Sequence, residues 1–151
     1  MSQKNKLSLS VQFADNTPLA EQLPRAAIRR WVQAAIFAPA QLTIRFVAEA
    51  EGRTLNHEYR GKDYATNVLT FAYTEDDPNA ETQADIVLCS DVLLREAKVL
   101  NIPLHQHAAH LVVHGVLHAQ GYDHETDEQA REMETLETEI LEQLGWPDPY
   151  A

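Results

Sequence analysis

The sequence has very little cysteine, few basic residues and no long apolar run. Its 151 residues include a single cysteine, Cys89, so no internal disulfide can form, and a reducing compartment is the simpler interpretation. No stretch approaches the ~20 apolar residues of a membrane span. The N-terminal residues MSQKNKLSLSVQF also lack the apolar segment of a signal peptide. We therefore expect a cytoplasmic protein with no membrane partner.

The shortage of basic residues is concentrated in the second half of the chain. Lys and Arg number 12 against 23 Asp and Glu, which gives a formal net charge of −11. Residues 1–75 hold nine basic and seven acidic side chains, a net of +2, whereas residues 76–151 hold three and sixteen, a net of −13. Such a chain does not coat nucleic acid non-specifically, although a focused anion site remains open to it. The basic residues available for one are Arg29, Arg30, Arg45, Arg53, Arg60 and Lys62.

Hydrophobic periodicity predicts four strands and five helices. The strands are LSLSVQF, QLTIRFVA, NVLTFAY and ADIVLC, which alternate or are rich in β-branched and aromatic residues. The helices are expected over 24–37, 54–60, 91–100, 104–120 and from about 126 to 144. The order β-α-β-α-β-β-α-α-α predicts an α+β fold. We expect a single domain over 1–151, with a four-stranded, mostly mixed sheet packed with about five helices.

Residues with particular backbone or capping preferences mark the ends of these helices. Gly61 and Gly121 suit the positions just after a helix, where the backbone turns left-handed. Ser90 is expected to cap the helix over 91–100. Thr126 followed three residues later by Gln129 has the form of a capping box and opens the last helix.

Four histidines occur within the segment HLVVHGVLHAQGYDH, which runs from 110 to 124. On a helix, His114 and His118 lie one turn apart on the same face. Gly121 then ends the helix, and the turn GYD allows His124 to approach the same point. Three neutral imidazoles with one open position are typical of a zinc site, although nickel or copper would also be tolerated. His110, one turn before His114, is either a structural residue or one that orients the site.

The remaining histidines, His57, His105 and His107, are expected to be structural or surface residues.

The spacing of the trio matches the metzincin protease signature H-E-x-x-H-x-x-G-x-x-H at all three histidines and the glycine. The glutamate that serves those proteases as general base is absent, because Gly115 occupies its position. The sequence therefore predicts a metzincin-like histidine cradle with different chemistry. Two alternatives stay open: a metallopeptidase, which the missing glutamate disfavours, and a non-catalytic metal-bound adaptor, which the open coordination position disfavours.

A second segment, LNHEYRGKDYATNVLTF, supplies cations near a glycine turn. The guanidinium of Arg60 can bind phosphate oxygens in a bidentate manner, and Lys62 adds a second positive charge. Thr66 and Asn67 could add hydrogen bonds before the next strand begins. Taken alone, a charged segment of this kind is usually only a solvated loop.

Together the two segments resemble the YbeY family of bacterial single-strand-specific metallo-endoribonucleases. The family motif H-G-x-L-H-x-x-G-Y-D-H is matched in full by His114 to His124. The family segment L-N-x-x-Y-R-x-K-D-x-P-T-[ND]-V-L-[ST]-F is matched by Leu55 to Phe71, with Ala65 in place of the proline. Ala72 and Ala84 also replace a usual proline and glycine, and the C-terminal EMETLETEILEQLGW followed by DPY is typical of the family.

This resemblance implies a site and a biological role. It implies that His114, His118 and His124 bind one zinc ion per chain and that Arg60 is the catalytic or RNA-contacting arginine. It also implies cleavage of single-stranded ribosomal RNA, in maturation of the 3′ end of 16S RNA and in quality control of late-stage 70S ribosomes. The partners would be the ribosome or small-subunit ribosomal proteins and an exoribonuclease, in the cytoplasm.

The general base is left open at this point. A zinc-activated water needs none, and Asp85 and Asp123 are the carboxylates considered for it. Asp123 could equally be the hydrogen-bond partner of a ligand imidazole, and Lys62 a substrate contact. Because of its acidic net charge, the protein would bind RNA poorly outside its site, so that a docking partner supplies most of the specificity. We therefore expect slow, salt-sensitive cleavage of free RNA.

Overall fold

The predicted order of strands and helices is confirmed in a computed structural model that describes residues 5–14, 18–62, 66–73 and 81–150. The described elements are the strands β1 (Leu7–Phe13), β2 (Ala40–Val47), β3 (Val68–Ala72) and β4 (Thr82–Cys89) and the helices α1 (Arg25–Ala35), α2 (Glu49–Arg60), α3 (Ser90–Leu100), α4 (Leu104–Ala119) and α5 (Asp127–Gln143). A 3₁₀ turn over Pro18–Glu21 precedes α1. The substitution at Ala65 lies outside the described residues.

The four strands form one mixed sheet in the order β1-β2-β4-β3. The first three are parallel, and β3 runs antiparallel to β4 with Thr70 opposite Ile86 and Ala72 opposite Ala84. Parallel neighbours need a long crossover, which the helices between the strands provide. The α+β fold with a four-stranded mixed sheet and five helices is therefore as predicted from the sequence.

Helix α4 lies at the centre of the fold and carries two of the motif histidines. It packs against α1, α3 and α5 and against β3 and β4, so apolar residues cover most of its circumference. The buried residues of its middle and end are Ala108, Leu111, Val112, Val113, Val116 and Leu117. Burying each of the larger ones contributes about 1.5–3 kcal/mol. A helix held on so many sides is a rigid support for side chains that must converge.

Helix α2 covers a smaller apolar cluster on the opposite face of the sheet. Val47, Leu69 and Val87 are buried there, and Leu55 and Phe71 pack on them. This cluster anchors the helix whose last residue is Arg60, and Gly61 ends it with a left-handed φ of 68° as predicted. The position of Arg60 is thereby fixed relative to the sheet.

Two predicted helix starts were wrong. Helix α2 begins at Glu49 and not at residue 54, because the carboxylate of Asp91 accepts a hydrogen bond of 2.7 Å from the backbone N–H of Glu49. That cap comes from another helix and leaves no periodic signal. Ser90 is the first residue of α3 and Cys89 occupies the capping position without a side-chain bond, so Ser90 is not the cap.

The other end signals were correct. Thr126 and Gln129 form the full capping box at the start of α5. Gly121 follows the last residues of α4 with a φ of 102°. Among the described helices, none combines the length and the apolar character needed to cross a membrane.

Candidate active site

The three histidines of the motif converge at one end of α4. The ring centroids of His114 and His118 are 6.4 Å apart, those of His114 and His124 5.6 Å, and those of His118 and His124 6.2 Å. The spacing of four places the first two on one face of the helix. Gly121, whose backbone N–H bonds to the carbonyl of His118, turns the chain so that the third returns beside them.

These rings are slightly too far apart to hold an ion as they stand. Three imidazole nitrogens at ~2.1 Å from one ion place the ring centroids about 5 Å apart, so the cluster must close by about 1 Å. Accordingly, no group of three or more His, Cys, Asp or Glu side chains has metal-holding geometry within the described residues. His124 is exposed and lies on the turn, so its side chain has the freedom to make that adjustment.

The hydrogen bonds of the two α4 histidines determine which ring nitrogen is left to bind a metal. His118 Nδ1 lies 2.9 Å from the carbonyl oxygen of Tyr122, and His114 Nδ1 lies 2.9 Å from Oε1 of Glu137. A carbonyl oxygen and a carboxylate can only accept, so both rings carry their proton on Nδ1. With the proton on Nδ1, the neutral form of each ring has an unprotonated Nε2, which is the atom that binds a metal. The donor set therefore fits a zinc ion.

Glu137 is the most unexpected member of the site. It lies on α5, is 1% exposed, and accepts hydrogen bonds from His110, His114 and Tyr150. Burial by itself would raise the pKa of Glu137. The hydrogen bonds from His110 and His114, the charge that His114 carries when it is protonated and the bond from Tyr150 outweigh burial and lower the pKa of Glu137 to about 2. The carboxylate is therefore ionised and acts only as an acceptor.

The sequence did contain one signal for Glu137. The buried positions of α5 are Met133, Glu137, Ile140 and Leu141, a helical stripe in which one member is charged. A carboxylate in an apolar stripe needs a buried partner, because an unpaired buried charge is costly. Motif spacing alone does not include this stripe, so Glu137 and Tyr150 were missed.

A cleft of ≈ 530 Å³ brings the histidines and Arg60 together. Its lining comes from the end of α2, from the segment leading into β3 and along it, and from α4 and the turn after it. The lining residues are Arg60, Thr66, Asn67, Val68, Leu69, Thr70, His114, His118, Asp123, His124 and Glu125. Two segments more than forty residues apart in sequence thus supply a cation and three imidazoles to the same cavity.

The other predicted site residues are placed differently. Asp85, one of the two carboxylates considered as general base, points to the opposite face of the sheet, where it accepts a bond of 2.6 Å from the hydroxyl of Tyr73, so it lies away from the cleft. Asp123 lines the cleft, but its Oδ1 accepts the backbone N–H of His124 at 2.7 Å. The hydrogen bonds described for the rings of His114 and His118 go to Glu137 and Tyr122, and not to Asp123. Lys62 is exposed and does not line the cleft.

Of the two polar residues before β3 that were expected to add hydrogen bonds to a substrate, one already bonds to another side chain. Thr66 and Asn67 both line the cleft, but the amide of Asn67 donates to Glu96 at 3.2 Å. Glu96 also bonds to the buried ring of His107 at 2.9 Å. His107 is therefore a buried, hydrogen-bonded residue with a structural role, as predicted. Asn67 therefore links the cleft wall to α3 and α4.

His57 and His105 are surface residues, as predicted, and His110 lies next to the histidine cluster without lining the cleft. His110 contacts Glu137 behind His114, so its connection to the site runs through that carboxylate. His57 is exposed, and His105, also exposed, hydrogen-bonds to the backbone carbonyl of Gln22. Neither lies at the cleft.

Gly115 is explained by the sheet beneath α4. A Cβ at this position would lie 2.7 Å from Cγ2 of Ile86, 3.4 Å from Cγ2 of Val68 and 3.5 Å from Oγ1 of Thr70. Side chains at 115 would therefore enter the packed interface between α4 and the sheet. A glutamate here would collide with Ile86, which disfavours the metzincin arrangement.

Comparison with known proteins agrees with these features. The sequence profile of the family described as Endoribonuclease YbeY matches residues 11–145. A protein of Janthinobacterium sp. (strain Marseille) named Endoribonuclease YbeY is 64% identical, with 99% of this chain and 98% of the relative covered. One from Paraburkholderia phymatum with the same name is 55% identical, with 99% of both chains covered. The solution structure of TM1509 from Thermotoga maritima superposes with a TM-score of 0.61 at 27% identity, over 90% of this chain and 88% of that one.

Proposed function

Because the chain belongs to the endoribonuclease YbeY family, we propose that it hydrolyses phosphodiester bonds of single-stranded RNA with one zinc ion held by His114, His118 and His124. The observation that carries this proposal is the convergence of the three imidazoles with Arg60 in one cleft. Nickel could occupy the same nitrogen ligands.

Each residue of the cleft has a task under this proposal. A bound zinc ion would supply a Lewis acid for the phosphodiester and lower the pKa of a water. Arg60, exposed at the end of α2, binds phosphate oxygens through its planar guanidinium and stabilises the negative charge that builds on them. His114 and His118 keep their protons on Nδ1, so their Nε2 atoms stay available to the ion. Asp123 shapes the turn by binding the N–H of His124.

We further propose a ribosomal substrate and a cytoplasmic location, on the strength of family membership. The RNA would be the precursor 3′ end of 16S RNA and the RNA of defective 70S ribosomes, and the partners small-subunit ribosomal proteins and an exoribonuclease. The net charge of −11 supports a role for docking, since a protein with this overall charge repels RNA. Free RNA should be cleaved slowly and with strong salt dependence.

Two other functions make different predictions. A metallopeptidase requires a general base beside the ion, and the contact between a side chain at 115 and Ile86 disfavours the metzincin arrangement. An adaptor would bind RNA or ribosomes without cutting. Nothing in the cleft favours it over the nuclease.

The test uses purified protein of known zinc content with three substrates: labelled single-stranded RNA, the same RNA as a duplex, and unfolded casein, each with and without chelator. We expect chelator-sensitive cleavage of the single strand alone. Cleavage of casein would replace the nuclease with a peptidase. Zinc binding without cleavage of any substrate, even with ribosomes added, would favour the adaptor.

A further inference from the structure

The carboxylate of Glu137 connects α5 and the segment after it to the histidine cluster. Its Oε1 lies 2.9 Å from Nδ1 of His114 and 3.2 Å from Nε2 of His110, and its Oε2 accepts a bond of 2.7 Å from the hydroxyl of Tyr150. His110 Nε2 is also 3.2 Å from that hydroxyl. Three donors from two elements thus surround one buried carboxylate.

Stability alone does not explain this arrangement. Moving a carboxylate out of water costs several kcal/mol, and a well-packed apolar residue in the same stripe as Met133 and Ile140 would be as stable or more so. What an apolar residue could not do is accept the Nδ1 proton of His114. The carboxylate fixes both the tautomer and the direction of that ring, and no backbone carbonyl is bonded to His114 Nδ1 in its place among the residues described.

Tyr150 contacts both Glu137 and His110 from the solvent side. Its ring packs edge-on against His110, with centroids 5.5 Å apart, although the residue is 46% exposed. Its backbone N–H bonds to Asp148, whose Oδ1 also accepts from Thr138 of α5. The hydroxyl is therefore held in place to donate to Oε2 of Glu137.

We propose that Glu137 and Tyr150 are positioning residues: Glu137 holds the ring of His114 with its Nε2 directed to the ion, and Tyr150 holds Glu137. This inference rests on the proposed zinc site. It assigns a role in the active site to α5 and to the segment after it, which contribute no lining residue to the cleft as described.

Glu137→Gln tests the carboxylate, because the amide nitrogen would face one of the three donors. Tyr150→Phe tests the outer bond and removes only the hydroxyl, from a residue that is 46% exposed. Tyr73→Phe is the matched control, because that hydroxyl also bonds a carboxylate, Asp85, but on the other face of the sheet. Zinc affinity is measured by competition with a chromophoric chelator, alongside kcat and KM on single-stranded RNA and the melting temperature.

We expect Glu137→Gln to weaken zinc binding by about 10–100-fold and to lower kcat more than it raises KM. Tyr150→Phe should act in the same direction with a smaller effect, and Tyr73→Phe should leave zinc affinity unchanged. If Glu137→Gln does not fold, the zinc affinity and kcat of Tyr150→Phe alone test the proposal. Unchanged zinc affinity and kcat in the folded variants, even with a lower melting temperature, would overturn the proposal.

His114→Ala separates this failure from failure of the proposed function. If that variant binds zinc as tightly as the parent, the zinc site itself is wrong. If it loses zinc while Glu137→Gln and Tyr150→Phe retain it, only the positioning role is wrong.

Discussion

His118 donates its Nδ1 proton to the backbone carbonyl oxygen of Tyr122 across 2.9 Å. The acceptor belongs to the turn that also returns His124 to the cluster, so one backbone conformation sets both the tautomer of His118 and the position of His124. That conformation depends on Gly121, which has a φ of 102° and no described atom within 4 Å of the place that a Cβ would occupy.

Gly121→Ala should therefore act through backbone strain alone. We expect a loss of about 1–2 kcal/mol in the free energy of unfolding, the usual cost of a left-handed alanine, and a weaker zinc site. Gly145→Ala is the matched control, because Gly145 has a φ of 92° and equally open surroundings after α5. Urea unfolding should show similar losses in both, while chelator competition should show weaker zinc binding only in Gly121→Ala. Equal zinc affinity in the two variants would contradict this role of the turn.

His114→Ala should abolish zinc binding and RNA cleavage while the fold survives. The α4 core is apolar and does not depend on this ring, and Glu137 keeps its bonds from His110 and Tyr150. Zinc affinity should fall by more than the about 100-fold typical of losing a supporting hydrogen bond. The exposed His57 on α2 provides the control variant, His57→Ala. A collapsed circular dichroism spectrum for His114→Ala alone would point to a structural role.

Arg60→Ala should keep zinc and lose activity. Removing a group that stabilises transition-state charge typically costs about 10²–10³-fold in kcat. Lys62→Ala removes a nearby charge that does not line the cleft, so its effect should be several-fold at most. Zinc content and single-turnover rates on single-stranded RNA give the comparison. Loss of zinc in Arg60→Ala would mean that the arginine supports the structure.

Gly115→Ala should destabilise the protein although alanine favours helices. The new Cβ would lie 2.7 Å from Cγ2 of Ile86, and overpacking of this kind costs about 1–3 kcal/mol. A double-mutant cycle isolates the contact: the cost of Gly115→Ala should shrink in an Ile86→Ala background, where that methyl is gone. An unchanged cost would show that the two positions do not interact.

Helix α1 should protect the free edge of β1. The side chains of Arg25, Arg29 and Gln33, spaced four apart, donate to the carbonyls of Val11, Leu7 and Asn5 at 3.4, 3.1 and 2.7 Å. The carbonyls of even-numbered residues in this strand face β2, so the three odd-numbered carbonyls point away from β2 toward the open edge of the sheet. An open strand edge can pair with a strand of a second chain.

Replacing all three donors with alanine should therefore promote self-association at raised concentration. Light scattering and size-exclusion chromatography measure it, with Arg30→Ala, on the same helix, as the single-charge control. A triple variant as monodisperse as the parent would show that other features guard this edge.

Much of the site follows from spacing along the chain. The separation of four places His114 and His118 on one face of α4, and Gly121 allows the return of His124, because both effects are local to a helix and its end. Alternation in β4 also contained the answer for Asp85: Ala84 and Ile86 are buried toward α4, so the residue between them must face the other way.

The sequence by itself determined the order of the elements, the strand faces, the capping box of Thr126 and the grouping of the histidines, since each depends on residues a few positions apart. Tertiary structure decided the start of α2, which a carboxylate 42 residues away caps, and the orientation of His114, which a carboxylate 23 residues away holds. The tertiary structure also explains the glycine at 115, because a Cβ there would lie 2.7 Å from Cγ2 of Ile86. These contacts join elements that are adjacent only after the sheet and α4 have packed, and no local preference encodes them.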